Sequence, residues 1–181
     1  MSFSRPTDAL DSSAQPESAD IEVSHVLDIL EQDARFGPDE IARMLGVSEA
    51  DVVSAIGRLE RQGVIRRYKT VVDWERVGVE RVMAFVDVKV SPAHGVGFDD
   101  VAERIYNFPE VHSVYLVSGD YDLRVMVEGR NIRDVAFFVS DRLASLDRVL
   151  ATATHFLLKK YKEEGVVFVD SEGDDRLEVA P

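Results

Sequence analysis

Between residues 82 and 90 an apolar side chain returns at every second position: Val82, Ala84, Val86, Val88 and Val90. A period of two over that length describes a strand with one dry face, and a helix cannot use it. Such a strand needs neighbours and a covering layer, so this run constrains the second half of the chain more than any other feature. Ser91 to Gly97 reads as a loop. Phe98, Val101, Ala102 and Ile105 then share a helix face that stops before Pro109. Val111 to Val117 reads as a strand, Ser118-Gly119-Asp120 as a turn and Tyr121 to Val127 as the next strand. Ile132, Val135, Ala136, Val139 and Leu143 mark a second amphipathic helix, and Thr152 to Tyr161 closes as a last strand. The order β-α-β-β-α-β is the ferredoxin-like split arrangement, an α+β fold with both helices on one sheet face. The other face is left uncovered. Met83, Phe85, Val114 or Tyr115, and Phe156 or Leu157 are candidates for it, and an exposed apolar sheet face predicts that this domain dimerises.

The first half changes period. Val23, Val26, Leu27 and Leu30 recur at the three-and-four spacing of one helix face, and Phe36-Gly37-Pro38 ends that helix. Pro38 suits a first helical turn, with Asp39 and Glu40 beside the positive helix end, and Ile41, Ala42 and Leu45 form the stripe of a short second helix. Gly46 permits a tight turn, and Val47 plugs the core beneath it. Ser48 with Asp51 resembles a capping box, opening a third helix that runs to about Gln62 and buries Val52, Ile56 and Leu59. After Gly63, Val64 to Lys69 alternates as a strand. The domain plan is therefore a disordered arm over 1–20, a winged helix-turn-helix over 21–70, a linker over 71–80, the ferredoxin-like domain over 81–169 and a disordered acidic tail over 170–181.

Composition narrows the function classes. The 181 residues include no cysteine, which excludes a disulfide framework, a thiolate metal site and a cysteine nucleophile. His25, His94, His112 and His155 are dispersed without metal-ligand spacing, and no phosphate loop, nucleophile elbow or catalytic carboxylate pair is present. No apolar run reaches the roughly 18 residues of a membrane span, and the N-terminus lacks a secretory pattern, so a cytoplasmic chain without membrane partners is expected. The net charge of −13 opposes casual contact with phosphate, yet the two ends, 1–20 and 170–181, carry more than half of that excess. From Gly57 to Thr70 the balance reverses: Arg58, Arg61, Arg66, Arg67 and Lys69 face one acid, Glu60.

That cationic stretch follows Ala42-x-x-x-Gly46 and the apolar positions of the third helix, the pattern of a helix-turn-helix. A three-helix bundle used for protein contacts has the same apolar pattern; the grouped charge favours double-stranded DNA. Ser48, Ser54 and Arg58 are the candidate base readers and Arg58, Arg66, Arg67 and Lys69 the candidate phosphate contacts, with Arg61 in the same DNA-binding set. The acidic start of the helix, Glu49 and Asp51, complements its dipole or accepts from cytosine.

Residues 21–169 resemble the Lrp/AsnC (feast/famine) family of transcriptional regulators. The matching residues are Glu40 to Ser48 and Leu59 to Ile65 in the first domain. In the second they are Phe108-Pro109-Glu110-Val111, Gly119-Asp120-Tyr121-Asp122, and Val149 with Thr152 and Thr154. The resemblance implies a winged helix-turn-helix joined to a ligand-sensing RAM domain. It also implies a homodimer assembling to a tetramer or octamer, and a small effector, commonly an amino acid, bound between neighbouring dimers. It places the effector at Ser118, Gly119, Asp120, Tyr121 and Asp122, with Thr154 and His155 lining the same pocket. Backbone amides freed by Gly119 can hold a carboxylate and Asp122 an ammonium group, although an ordinary hairpin turn and a strand histidine would use the same residues. Two departures stand out. Arg148 occupies a position where the family often has glycine, and Ala55 lies near a position that is often basic.

Siroheme decarboxylases resemble this family in both domains and supply an enzyme alternative, with His112 as the candidate functional histidine; here Val71 to Arg76 replaces their basic, His-containing linker. A third alternative is an amino-acid-binding oligomer whose first domain no longer reads DNA. The expectation is a regulator rather than an enzyme, without cofactor or metal.

Overall fold

The computed structural model describes residues 22–91 and 97–169, and the chain divides into two compact units between Thr70 and Val71. The expected arm, the acidic tail and most of the 91–97 loop lie outside the described residues.

The first unit holds α1 (Val23–Gln32), α2 (Pro38–Leu45) and α3 (Glu49–Arg61). Val26, Ile41, Ala42 and Val52 form its centre, with Ile29, Leu30, Phe36, Leu45, Val47 and Ile56 packed around them. The Gly37 N–H donates to Glu40 Oε2 at 3.0 Å, which closes the first turn of α2 around Pro38. Gly46 adopts φ +69°, a left-handed conformation that ends α2 and aims Val47 inward, with the Val47 N–H donating to the Ala42 carbonyl at 3.1 Å. One expectation fails here. Residues 64–69 form no strand, because an alternating pattern specifies a face and not a partner, and the described residues of the first unit hold no other strand for them to pair with.

The second unit contains β1 (Val82–Val90), α4 (Asp99–Tyr106), β2 (Val111–Leu116), β3 (Leu123–Gly129), α5 (Ile132–Phe137), β4 (Val149–Phe156) and a short hairpin, β5 (Lys162–Glu163) with β6 (Val166–Val167). The four long strands run in the order β2-β3-β1-β4, each pair antiparallel, which is the ferredoxin-like arrangement. Ala84, Val86, Val88 and Val90 meet Val101, Ile105, Val135, Phe138 and Leu143 in one core. Val114 and Phe156 pack onto that core, leaving Tyr115 and Leu157, with Met83 and Phe85, to the open face. Helix α5 continues as a π-turn over Phe138–Leu143, and the extra residue per turn keeps Phe138, Val139 and Leu143 all buried.

Several boundaries differ from expectation. Strand β3 begins at Leu123, because Asp122 belongs to the turn and accepts from the Val117 N–H at 2.9 Å. Strand β4 begins at Val149 and ends at Phe156, well short of Tyr161, and the β5–β6 hairpin follows it. Two-residue strands carry no readable period.

Arg148 adopts a left-handed backbone at φ +75°, a conformation that favours glycine. Its side chain compensates. Nε donates to the Ser91 carbonyl at 2.8 Å, Nη2 to the Gly97 carbonyl at 2.5 Å and Nη1 to Asp100 at 2.6 Å. These bonds from Arg148 hold the Asp100 carboxyl below the usual carboxylate range.

We expect Arg148→Ala to be less stable than Arg148→Gly by about 1 kcal/mol in urea unfolding, since both lose the bonds but only alanine keeps the strain. Equal stabilities would show that the backbone is unstrained. A lowered carboxyl pKa stabilises the fold above the unfolded value near 3.9 and ceases to do so as pH falls through the folded one. Acid-induced loss of stability below about pH 4 should therefore be shallower in both variants than in the parent.

Candidate nucleic-acid interface and effector turn

Helix α3 turns Val52, Ala55 and Leu59 into the core. At 3.6 residues per turn that leaves Ala50, Ser54, Arg58 and Arg61 on the outward face, and all four are exposed. Ser48 is spent on the helix cap: its hydroxyl accepts from the Asp51 N–H at 3.2 Å and donates to Asp51 Oδ2 at 2.6 Å. That pair also accounts for Asp51 at the acidic start of the helix, while Glu49 stays exposed. It leaves Ser54, rather than Ser48, as the hydroxyl open on the outward face.

Arg58, Arg61, Arg66 and Arg67 are exposed, and none of the four forms an ion pair with a carboxylate among the described residues. Lys69 is exposed as well. The acid among them, Glu60, accepts a hydrogen bond from the Tyr68 hydroxyl at 3.0 Å. This bond ties the segment after the Gly63 turn back to the last turn of α3. Partial burial, and then the Glu60 carboxylate, push the Tyr68 phenol above its ordinary value. Tyr68 escaped the sequence reading because its partner lies eight residues away across a turn, where no helical or strand period links the two.

At the second candidate site, Ser118, Gly119 and Asp120 are exposed, and Gly119 has φ +138°, a conformation that side-chain-bearing residues rarely adopt. Tyr121 and Asp122 are half-buried. Asp122 is already engaged within the chain. Its Oδ2 accepts from the Val90 N–H at 2.8 Å, its N–H donates to the Val88 carbonyl at 3.0 Å, and Lys89 Nζ lies 3.6 Å from Oδ1. The carboxylate thus closes the β-bulge at Lys89/Val90 rather than standing open for an ammonium group.

Thr154 and His155 do not line one pocket within the chain. Thr154 pairs with Val86 on the core face, whereas His155 pairs with Phe85 on the open face. Successive strand residues point opposite ways, and β4 lies across β1 from the 118–122 turn. His155 Nε2 instead sits 3.4 Å from Asp87 Oδ2. Asp87 is only 6% exposed and binds Arg124 through two bonds, Nε to Oδ1 at 2.7 Å and Nη2 to Oδ2 at 3.0 Å. The Arg124 guanidinium holds the Asp87 carboxyl below the usual range. The register that sets Asp87 opposite Arg124 cannot be read from either strand alone.

His112 Nε2 lies 3.1 Å from Glu128 Oε2. Among the described residues no group of three His, Asp or Glu side chains is placed to hold a metal ion, and no helix is long and apolar enough to cross a membrane.

Residues 83–167 match the family model described as the Lrp/AsnC ligand binding domain, and residues 24–66 match a winged helix-turn-helix DNA-binding model. The chain is 50% identical over 159 residues to the HTH-type transcriptional regulator YugG of Bacillus subtilis, covering 87% of this chain and 96% of that one. It is 31% identical over 138 residues to the HTH-type transcriptional regulator FL11 of Pyrococcus furiosus, covering 76% and 88%. Among solved structures, a feast or famine regulatory protein from M. tuberculosis complexed with L-methionine aligns with a TM-score of 0.64 at 26% identity, covering 77% of this chain and 92% of that one. The Escherichia coli AsnC structure aligns with a TM-score of 0.62 at 19% identity, covering 78% and 93%, a likeness of fold.

Asp122→Ala strips the Val90 amide of its acceptor and should destabilise the second unit by about 1–3 kcal/mol. Asp122→Asn keeps an acceptor oxygen and should recover most of that loss. Thermal or urea unfolding compares the two, and an alanine variant as stable as the parent would deny the carboxylate its structural task.

Proposed function

The chain belongs to the Lrp/AsnC family of DNA-binding transcriptional regulators with a ligand-binding domain, and from that premise we propose that it is a dimer-based switch read out on double-stranded DNA. The observation that carries this reading is the set of four arginines, Arg58, Arg61, Arg66 and Arg67, which have no carboxylate partner among the described residues and lie at one edge of the first unit in a chain of net charge −13. Unpaired guanidinium groups can neutralise phosphates without first breaking internal bonds. Ser54 and Arg58 on the outward face of α3 are the base readers in this proposal, and Arg61, Arg66, Arg67 and Lys69 hold the backbone.

The second unit dimerises through its open sheet face. Phe85 and Met83 are half-buried there and Tyr115 is exposed, an apolar band crossed by the Asp87–Arg124 pair. An α-amino acid is the effector in this reading, supported by the related regulator described with L-methionine. Because Asp122 is engaged internally, the turn at Gly119 contributes its backbone amides to the ligand carboxylate, and a neighbouring copy contributes the group that holds the ammonium. Such a ligand shifts DNA binding only as far as it favours one assembly over another.

Gel retardation on the protein's own promoter region should show binding that weakens with salt. Arg66→Ala with Arg67→Ala should lower the slope of log K against log salt by about two phosphate contacts. A folded parent protein that fails to retard the duplex at low salt would remove the DNA reading and leave an amino-acid-binding oligomer. Phe85→Glu should sediment as a monomer while the parent sediments as a dimer; a dimeric Phe85→Glu would place the association surface elsewhere.

A further inference from the structure

A cavity of about 780 Å³ opens in the second unit at the end of the sheet where β1 begins, between the segment entering β1, the start of β2, the end of β3 and α5. The 118–122 turn lies at the other end of β3, and none of the residues assigned to DNA or to that turn lines the cavity. The volume suits a small molecule. One wall is apolar, built by Pro109, Phe137 and Phe138, and Phe137 is 63% exposed on a helix whose neighbour Phe138 is buried.

The charged wall is largely satisfied within itself. Glu128 lies 3.0 Å from Arg81 and 3.1 Å from His112, Glu110 accepts from Arg142 at 3.2 Å, and Asp134 accepts from Arg130 at 2.8 Å. These couples leave Arg133 as a lining cation with no carboxylate partner among the described residues. Arginine and acid are equal in number around the cavity, so an anion entering it escapes the repulsion that the rest of this chain of net charge −13 exerts. Glu110 Oε2 is buried in the same wall with no donor, so that wall is short of one hydrogen bond.

We propose that this cavity binds a small organic carboxylate with an apolar body, the carboxylate on the Arg133 guanidinium and the body against Phe137 and Pro109. A guanidinium meets a carboxylate through two parallel N–H bonds, and the planar phenyl wall accepts a branched or aromatic body at little ordering cost. Two sources share this chemistry: an α-amino acid and the 2-oxo acid left when its amine is removed. The exposed rim carboxylate of Glu80 gives an amine something to meet, and a 2-oxo acid makes no use of it. The site is separate from the effector turn and does not depend on that assignment.

Isothermal calorimetry on the full chain, with phenylpyruvate and L-phenylalanine as probes, tests the proposal. At least one probe should bind, and Arg133→Ala should weaken it about tenfold or more, the worth of one charge-assisted pair. Arg133→Lys should fall between, and Phe137→Ala should weaken binding too. Tighter binding of L-phenylalanine, relaxed by Glu80→Gln, assigns the site to amino acids; tighter binding of phenylpyruvate assigns it to 2-oxo acids. Either result upholds the carboxylate site. No heat from either probe at millimolar concentration, or binding that survives Arg133→Ala, overturns it. The exposed position of Arg133 keeps that variant folded, which circular dichroism checks.

Discussion

Strand β1 sits in the middle of the sheet, and its alternation divides the second unit into two unlike faces. Val86 and Val88 are fully buried under the helices, while Asp87 between them points to the side that no helix covers. Asp87 is nevertheless almost inaccessible, because Arg124 and His155 close over it. A carboxylate removed from water must be paired, and the pairing holds the side chains of three neighbouring strands in one register. The open face is thus ordered by the chain's own contacts.

The acidity of the chain raises the question of how its first unit can approach a polyanion. Several of its carboxylates are placed where they already have work. Glu40 takes the Gly37 amide, Asp51 takes the Ser48 hydroxyl, Asp39 meets Arg43, Asp33 meets Arg35, and Glu60 takes the Tyr68 phenol. The arginines at the end of α3 and after Gly63 have no such partners among the described residues. Screening at physiological salt confines repulsion from distant carboxylates to about 8 Å, so a local imbalance decides the encounter and the net charge does not.

The end of the sheet that carries the 118–122 turn is heavily braced. Asp122 closes the bulge at the end of β1, and Arg148 gathers Ser91, Gly97 and Asp100 beside the start of β4. Arginine in place of the glycine often found in this family converts a permissive turn into a cross-linked one. The opposite end is less committed. There, among the described residues, one lining guanidinium has no carboxylate partner and one carboxylate oxygen has no donor.

Periodicity and punctuation made the two-part plan legible: the period of two in β1, the helical spacing of α1 to α5, Pro38, Gly46 and Gly63 all act within a few residues of themselves. The cationic cluster was legible for the same reason, since charges grouped in sequence stay grouped on one short segment. The absence of a strand at 64–69, the opposite facing of Thr154 and His155, the engagement of Asp122 and the burial of Asp87 were not. Each depends on which atoms arrive from a distant strand, and a residue's own neighbours in sequence carry no record of that. Local sequence determined which elements form and which edge is basic. Tertiary register decided which polar groups are spent on holding the fold and which remain for a ligand, because a hydrogen bond is allocated only once both partners are in place.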